Sequence, residues 1–197
     1  GRLGGMAVHG LVGPLMGGVN SPFVDEVLQR IGGRYPDPNR IDIEYAAMVE
    51  EAKADLLLHA WVADAVTKDN CVKGVRLLTK EGYLRVMAKV VVDATGDGDV
   101  AGRAGAAFEK GRPTDSLMQP GSIMYRVGGV EPDKAILCGS EEEAHQVRTS
   151  EGTWHDIVAK AQAAGMLPPE IGVVRLYRSH RPDERIVRRS PTHVNST

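Results

Sequence analysis

Residues 90–101, Val-Val-Val-Asp-Ala-Thr-Gly-Asp-Gly-Asp-Val-Ala, constrain the fold of this chain more than any other stretch. Three β-branched valines in succession predict a strand over 89–94 that is buried on both faces, as in a parallel sheet. The strand breaks on Gly96 and Gly98 into an Ala/Gly-rich segment running to Ala107, which predicts a helix packed close against it. Glycine at 96 and 98 lets the main chain approach a ligand where a Cβ would collide. Together these features describe a strand-turn-helix that meets a nucleotide.

Gly96-x-Gly98-x-x-Ala101 also matches the dinucleotide fingerprint that seats a pyrophosphate on a helix N-terminus. The chemistry of the turn argues against that use. Asp97 and Asp99 would set two carboxylates beside a diphosphate, and like charges in a poorly solvated turn repel. The two acids suit either acceptance of hydrogen bonds from ribose or ribitol hydroxyls, or capping of the helix through Asp97 or Asp99. An ordinary strand-to-helix turn with aspartate caps is the plainer alternative.

The segment VVVDATGDGDVAGRAGA, followed by LMQPGSIMYRVGG at 117–129, resembles FAD-dependent oxidoreductases of the glutathione-reductase-like superfamily, in the branch with a DATGDGD turn. The opening Gly1-Arg2-Leu3-Gly4-Gly5-Met6-Ala7 is similar to that family's double-glycine loop, which passes close to the flavin. The order of the landmarks is also similar over most of the chain, from this loop through a meander and the ATG turn to an Arg-Pro-containing hairpin. The resemblance implies FAD as cofactor, contacted by Gly4, Gly5 and Met6 and by Ala94, Thr95, Gly96, Asp97, Gly98 and Asp99. It also implies that the backbone of Val62 meets the adenine, for which plain sheet packing is the alternative.

At both ends the chain departs from the family. The first βαβ unit, with its G-x-G-x-x-G loop, should precede the double-glycine loop and is absent. Gly1 is not an initiator Met, and Val194-Asn195-Ser196-Thr197 reads as a strand in progress. The expectation is therefore an internal fragment, inactive alone, whose natural partners include the missing N- and C-terminal parts of the same protein.

The composition is that of a soluble globular piece, with 42% hydrophobic and 25% charged residues and a net charge of −2. So small a charge gives no field that would attract nucleic acid or an acidic membrane. No apolar run approaches the roughly 20 residues of a spanning helix, and no signal peptide is visible. Cys71 and Cys138 lie far apart without metal-type spacing, so no metal site is expected. Two lone thiols suit a reducing, cytoplasmic compartment, with one disulfide left open.

Residues 4–18 hold six glycines and predict neither helix nor regular strand. The family context makes this loop a backbone floor under the flavin. His9 lies within it, either solvated or able to reach the isoalloxazine as a proton donor or an attachment point. Ser21-Pro22 predicts a helix start, with Val24, Val27, Leu28 and Ile31 on one face before Gly32-Gly33. A second helix is expected from about Asp42, carrying Ile43, Ala46 and Ala47, and then a strand at 56–59. Lys68-Asp69-Asn70 and Lys80-Glu81-Gly82 separate segments 60–67, 71–79 and 83–88, which predicts an antiparallel meander.

Past Gly111 the composition shifts to a polar linker at 112–115, where the resemblance implies that a cofactor domain over 1–112 gives way to the start of a substrate domain over 113–197. Gln119-Pro120-Gly121 introduces a strand over 122–127, and Gln119 and Arg126 are the side chains there suited to a polar or anionic small-molecule substrate, against a surface glutamine and a salt-bridged arginine. Trp154, Ile157, Val158 and Ala161 form a core stripe within one or two helices over 140–165. Six arginines between 175 and 189, against Asp183 and Glu184, predict a basic hairpin with a solvated face or one that meets an acidic surface, and with too few aromatics for nucleic acid.

The expected fold is thus α/β: a partial, three-layer, Rossmann-like FAD-binding domain with an antiparallel meander, then the start of an α+β substrate domain. The expected function is transfer of a hydride or electron pair between an organic substrate and bound flavin. A non-catalytic nucleotide-binding or interaction module, with the basic hairpin as its partner surface, is the alternative. The unpaired edge of strand 89–94 would favour self-association.

Overall fold

The computed structural model describes residues 1–12, 15 and 17–191, residue 141 by its backbone alone. The strand expected at 194–197 and part of the glycine-rich loop lie outside these residues. That loop nonetheless holds a helix, α1 (Gly5–His9), where irregular chain was expected. Gly4 takes φ 98°, and the turn that follows lays Val8 on Ile31 and Ile41. Burial of one valine overrides the poor helix propensity of glycine.

Helix α2 (Pro22–Ile31) starts at the proline and stops at Gly32, which takes φ 90°. Its Val27, Leu28 and Ile31 face the same small core. Helix α3 (Pro38–Glu51) begins four residues before the expected Asp42. The reason is local: the Asp37 carboxylate accepts the Asn39 N–H at 2.9 Å, and Pro38 occupies the first helical position. The earlier start makes Ile41 and Tyr45 the inward residues and leaves Ile43 exposed. Arg30 ties the two helices, with Nη2 2.8 Å from Glu26 and 2.7 Å from Glu51.

The meander forms as the turns predict. Strands β1 (Trp61–Lys68), β2 (Cys71–Thr79) and β3 (Gly82–Met87) pair antiparallel in the order β1-β2-β3. Asp69 and Asn70 take φ 51° and 57°, the left-handed pair that a two-residue hairpin demands.

Two strands expected beside it do not form. Residues 54–58 and 89–95 are irregular, Leu57 is exposed, and Val90 and Val92 stand 77% and 82% open. A strand needs a neighbour to satisfy its peptide groups, and no described segment pairs with either stretch. All pairings among the described residues are antiparallel, so the parallel layer expected of a Rossmann-like domain is not found among them. The helix after the glycine turn, α4 (Asp99–Arg103), is a single turn packed on β1 and ends short of Ala107.

Strand β4 (Ile123–Gly128) opens the C-terminal part. Helix α5 (Glu141–Gln146) and helix α6 (Trp154–Ala163) flank a short hairpin of β5 (Arg148–Thr149) and β6 (Gly152–Thr153). Strands β7 (Val173–Arg178) and β8 (Glu184–Ser190) complete a sheet of order β4-β8-β7. Helix α6 covers one face through Val158 against Val174 and Val187, and the Trp154 indole N–H donates to the Val174 carbonyl at 2.9 Å.

The arginines of this hairpin are not a uniformly solvated face. Arg175 and Arg185 are only 6% and 7% exposed. Arg185 Nη1 donates to the carbonyls of Pro182 and Glu184, which is how its head is accommodated beside the apolar stems. The chain as a whole exposes 13967 Å². A folded monomer of this mass is expected to expose about 9,000 Å².

Candidate functional site

The glycine turn is organised from upstream. Asp93 Oδ1 accepts the Thr95 N–H at 3.1 Å and the Thr95 hydroxyl at 2.6 Å, while Oδ2 accepts the Ala101 N–H at 2.9 Å. Thr95 Oγ1 in turn accepts the Asp99 N–H at 2.7 Å. The hydrogen bond from Thr95, reinforced by backbone amides, holds the Asp93 carboxyl below the usual carboxylate range. Asp93 and Thr95 thereby satisfy the first amides of α4, the task expected of Asp97 or Asp99. Gly98 occupies the N-cap position with φ 68° and no side-chain cap, so the capping expected of Asp97 and Asp99 does not occur.

Relieved of that role, Asp97 is exposed and makes no hydrogen bond or ion pair among the described residues. Asp99 lies 4.0 Å from Arg103 Nη2. A Cβ built on Gly96 or Gly98 meets nothing within 4 Å, so in the protein alone the turn has an open surface of main chain. Ala94 and Gly96 are exposed along it. Sequence reasoning named the turn but missed Asp93 as the residue that shapes it. The signal was present: an aspartate two residues before a threonine, ahead of a helix start.

The double-glycine loop is held by α3. Asp42 Oδ1 accepts the Leu3 N–H at 2.9 Å and Oδ2 pairs with Arg2 Nε at 2.8 Å, with the Arg2 contact chiefly lowering the Asp42 carboxyl below its ordinary range. Gly4 is packed, since a Cβ there would stand 2.4 Å from Val8 Cγ2, whereas Gly5 is open. Met6 is 68% exposed. His9 Nε2 lies 3.2 Å from the Arg2 carbonyl oxygen, so the ring closes the loop on itself. Val62 is half-buried in β1 opposite Leu77, on the strand against which α4 packs. The helix that follows the turn is thus a neighbour of the strand that carries Val62, and no hydrogen bond or ion pair among the described residues joins the turn or Val62 to the Gly4–Met6 loop.

On the C-terminal side, Gln119 is exposed and makes no hydrogen bond among the described residues. Arg126 lies between two carboxylates, 3.8 Å from Asp37 and 3.5 Å from Glu184, with its buried Nε unpartnered. His180 Nδ1 is 3.3 Å from Asp37 Oδ2. These contacts draw the start of α3 onto the sheet beside a cavity of about 670 Å³ between residues 35–38, the 137–140 loop with the first turn of α5, and the end of β7. Leu11, two residues past His9, forms part of its wall. Cys71 is exposed and Cys138 is buried with its thiol 3.8 Å from the Ser140 carbonyl oxygen, and the two are not joined in a disulfide. No helix among the described residues is long and apolar enough to cross a membrane.

The family model for FAD dependent oxidoreductases matches residues 1–196, and the chain belongs to that family, which binds FAD. No curated protein and no solved structure matches the chain.

Proposed function

We propose that this member of the family holds FAD on the Ala94–Asp99 turn and the Gly4–Met6 loop, in an enzyme that moves a hydride or electron pair between a small organic substrate and the flavin. The observation that carries the reading is the turn itself. Asp93 and Thr95 fix its main chain, leaving a surface free of Cβ atoms at Gly96 and a carboxylate at Asp97 with no partner. Ribose and ribitol hydroxyls donate to such a carboxylate. The pyrophosphate does not suit it, because Asp97 and Asp99 would oppose its charge, so that contact falls to residues other than these.

On this reading Ala94, Thr95, Gly96, Asp97, Gly98 and Asp99 take the sugar side of the cofactor, and Gly4, Gly5 and Met6 pass beside the ring. The backbone of Val62 takes the adenine. Residues 1–112 then serve the cofactor, and 113–197 begin the substrate side, where Gln119 and Arg126 and, across the loop, His9 supply polar groups. Bound FAD supplies the two-electron chemistry, and the protein supplies binding, orientation and exclusion of water.

The test titrates FAD into the 197-residue chain and into Gly96→Val, following flavin fluorescence, with circular dichroism as the fold control. Weak binding that the valine abolishes in a folded chain is expected. Equal affinity of the two proteins overturns the assignment of the turn.

A further inference from the structure

The cavity between residues 35–38 and the end of β7 is large enough for a small ligand, at about 670 Å³ in a range of roughly 300–1,000 Å³ for such sites. Its lining is mainly apolar and aromatic, with Tyr177 among Leu11, Leu137, Leu176 and Ile186 and with Tyr35, 83% exposed, at its rim. Tyr177 lies close under the loop because residue 139 is glycine, where a Cβ would stand 3.0 Å from the ring.

The charged groups that line it are Asp37, Glu143, Arg178 and His180. Both carboxylates are already engaged. Glu143 Oε2 accepts the N–H groups of Gly139 at 2.7 Å and Ser140 at 3.1 Å. Asp37 accepts the Asn39 N–H and faces Arg126 and His180. The exposed side chain of Arg178 makes no ion pair or hydrogen bond among the described residues, and its cross-strand neighbour is another arginine, Arg185. His180 turns Nδ1 to Asp37, and its Nε2 has no hydrogen-bond partner among the described residues.

From this arrangement we infer that the cavity binds a small organic carboxylate with an aromatic or apolar body, its anionic end on Arg178 and its body between Tyr35 and Tyr177. Guanidinium and carboxylate match as a forked pair, and the rings supply rigid apolar area. Calling this ligand the substrate rests on the flavin reading above, because Leu11 connects the cavity to the Gly4–Met6 loop; the binding itself does not need flavin.

The experiment uses phenylacetate and its neutral analogue phenylacetamide as probes, titrated calorimetrically into the 197-residue chain. The wild-type chain is expected to bind phenylacetate at millimolar concentration and to prefer it over the amide by tenfold or more. Arg178→Gln should erase the preference and Arg178→Lys should restore part of it. Arg181→Gln, at an exposed arginine paired with Asp183, should leave it unchanged. Absence of phenylacetate binding, equal binding of the amide, or an unaltered Arg178→Gln isotherm overturns the proposal. The FAD titration of the same proteins reports separately on the flavin reading, since Arg178 lies outside the turn.

Discussion

Arg126 Nη2 stands 3.8 Å from Asp37 Oδ1, so the residue that caps α3 is tied to β4, an edge strand of the C-terminal sheet. The same guanidinium reaches Glu184 at 3.5 Å, on the neighbouring strand β8. One side chain thus spans the N-terminal helical core and the sheet core.

Arg126→Ala removes that tie and leaves Asp37 and Glu184 facing each other without their shared cation. It is expected to destabilise the chain by about 1–3 kcal/mol, the scale for losing one partner of a partly buried charged group. Gln119→Ala, at an exposed and unpartnered position, should leave stability unchanged while lowering turnover in the flavin-loaded enzyme. Urea denaturation of the two variants checks the contrast. Equal stability of Arg126→Ala and wild type would show that the pair contributes nothing to the fold.

The Asp93 network predicts an acid-sensitive turn. Its carboxyl is held below the ordinary value, so the folded state binds fewer protons than the unfolded chain as the carboxyl titrates. The stabilisation is therefore complete above the unfolded value near pH 4 and is lost as pH falls through the lower folded value. Asp93→Asn should remove this part of the pH dependence and speed hydrogen exchange at the Asp99 and Ala101 amides. Exchange rates that match wild type in the variant would remove Asp93 from the role of organiser.

The two glycines of the turn are expected to respond differently to valine. Gly98 takes φ 68°, so Gly98→Val strains the backbone by at least about 1–2 kcal/mol before any ligand is present. Gly96 has ordinary backbone and open space, so Gly96→Val should fold normally and lose only flavin. Asp97→Ala should weaken FAD binding by about 1–3 kcal/mol, the scale of a hydrogen bond to a charged group. Melting curves read beside flavin titrations separate strain from blocked binding, and matching losses in both glycine variants would refute the distinction.

What the sequence made legible follows the range of each signal. The meander and α2 were readable because Asp69-Asn70, Ser21-Pro22 and Gly32 act within a few residues of themselves. Asp37-Pro38 carries an equally local start signal for α3, but the apolar spacing from Ile43 onward masked it. The strand at 89–94 failed for a different reason. Valines state a preference for burial, whereas a strand is made by a neighbour, and the chain's own described residues provide none. The buried heads of Arg175 and Arg185 were equally invisible, since alternation shows that two faces differ and not which one is covered. In the site, the glycines at 96 and 98 were legible as open backbone. The capping by Asp93 across eight residues was not, because it depends on a fold-back that spacing alone does not specify.

Val90 and Val92, at 77% and 82% exposure, give the last prediction. They lie in irregular chain whose peptide groups pair with no described strand, and Leu56, Leu57 and Leu58 stand exposed in a second unpaired segment. Apolar, β-branched and unpaired segments are templates for pairing with another chain, and the area of the whole molecule exceeds that of a closed monomer by roughly half. The 197-residue chain should therefore associate with itself as its concentration rises. Val90→Lys with Val92→Lys should suppress that association without lowering the melting temperature, because neither valine packs against the two buried cores. Light scattering across a concentration series reads the mass directly. A wild-type chain that stays monomeric throughout, or a double variant that associates as strongly as wild type, would show that this segment is not the surface in search of a partner.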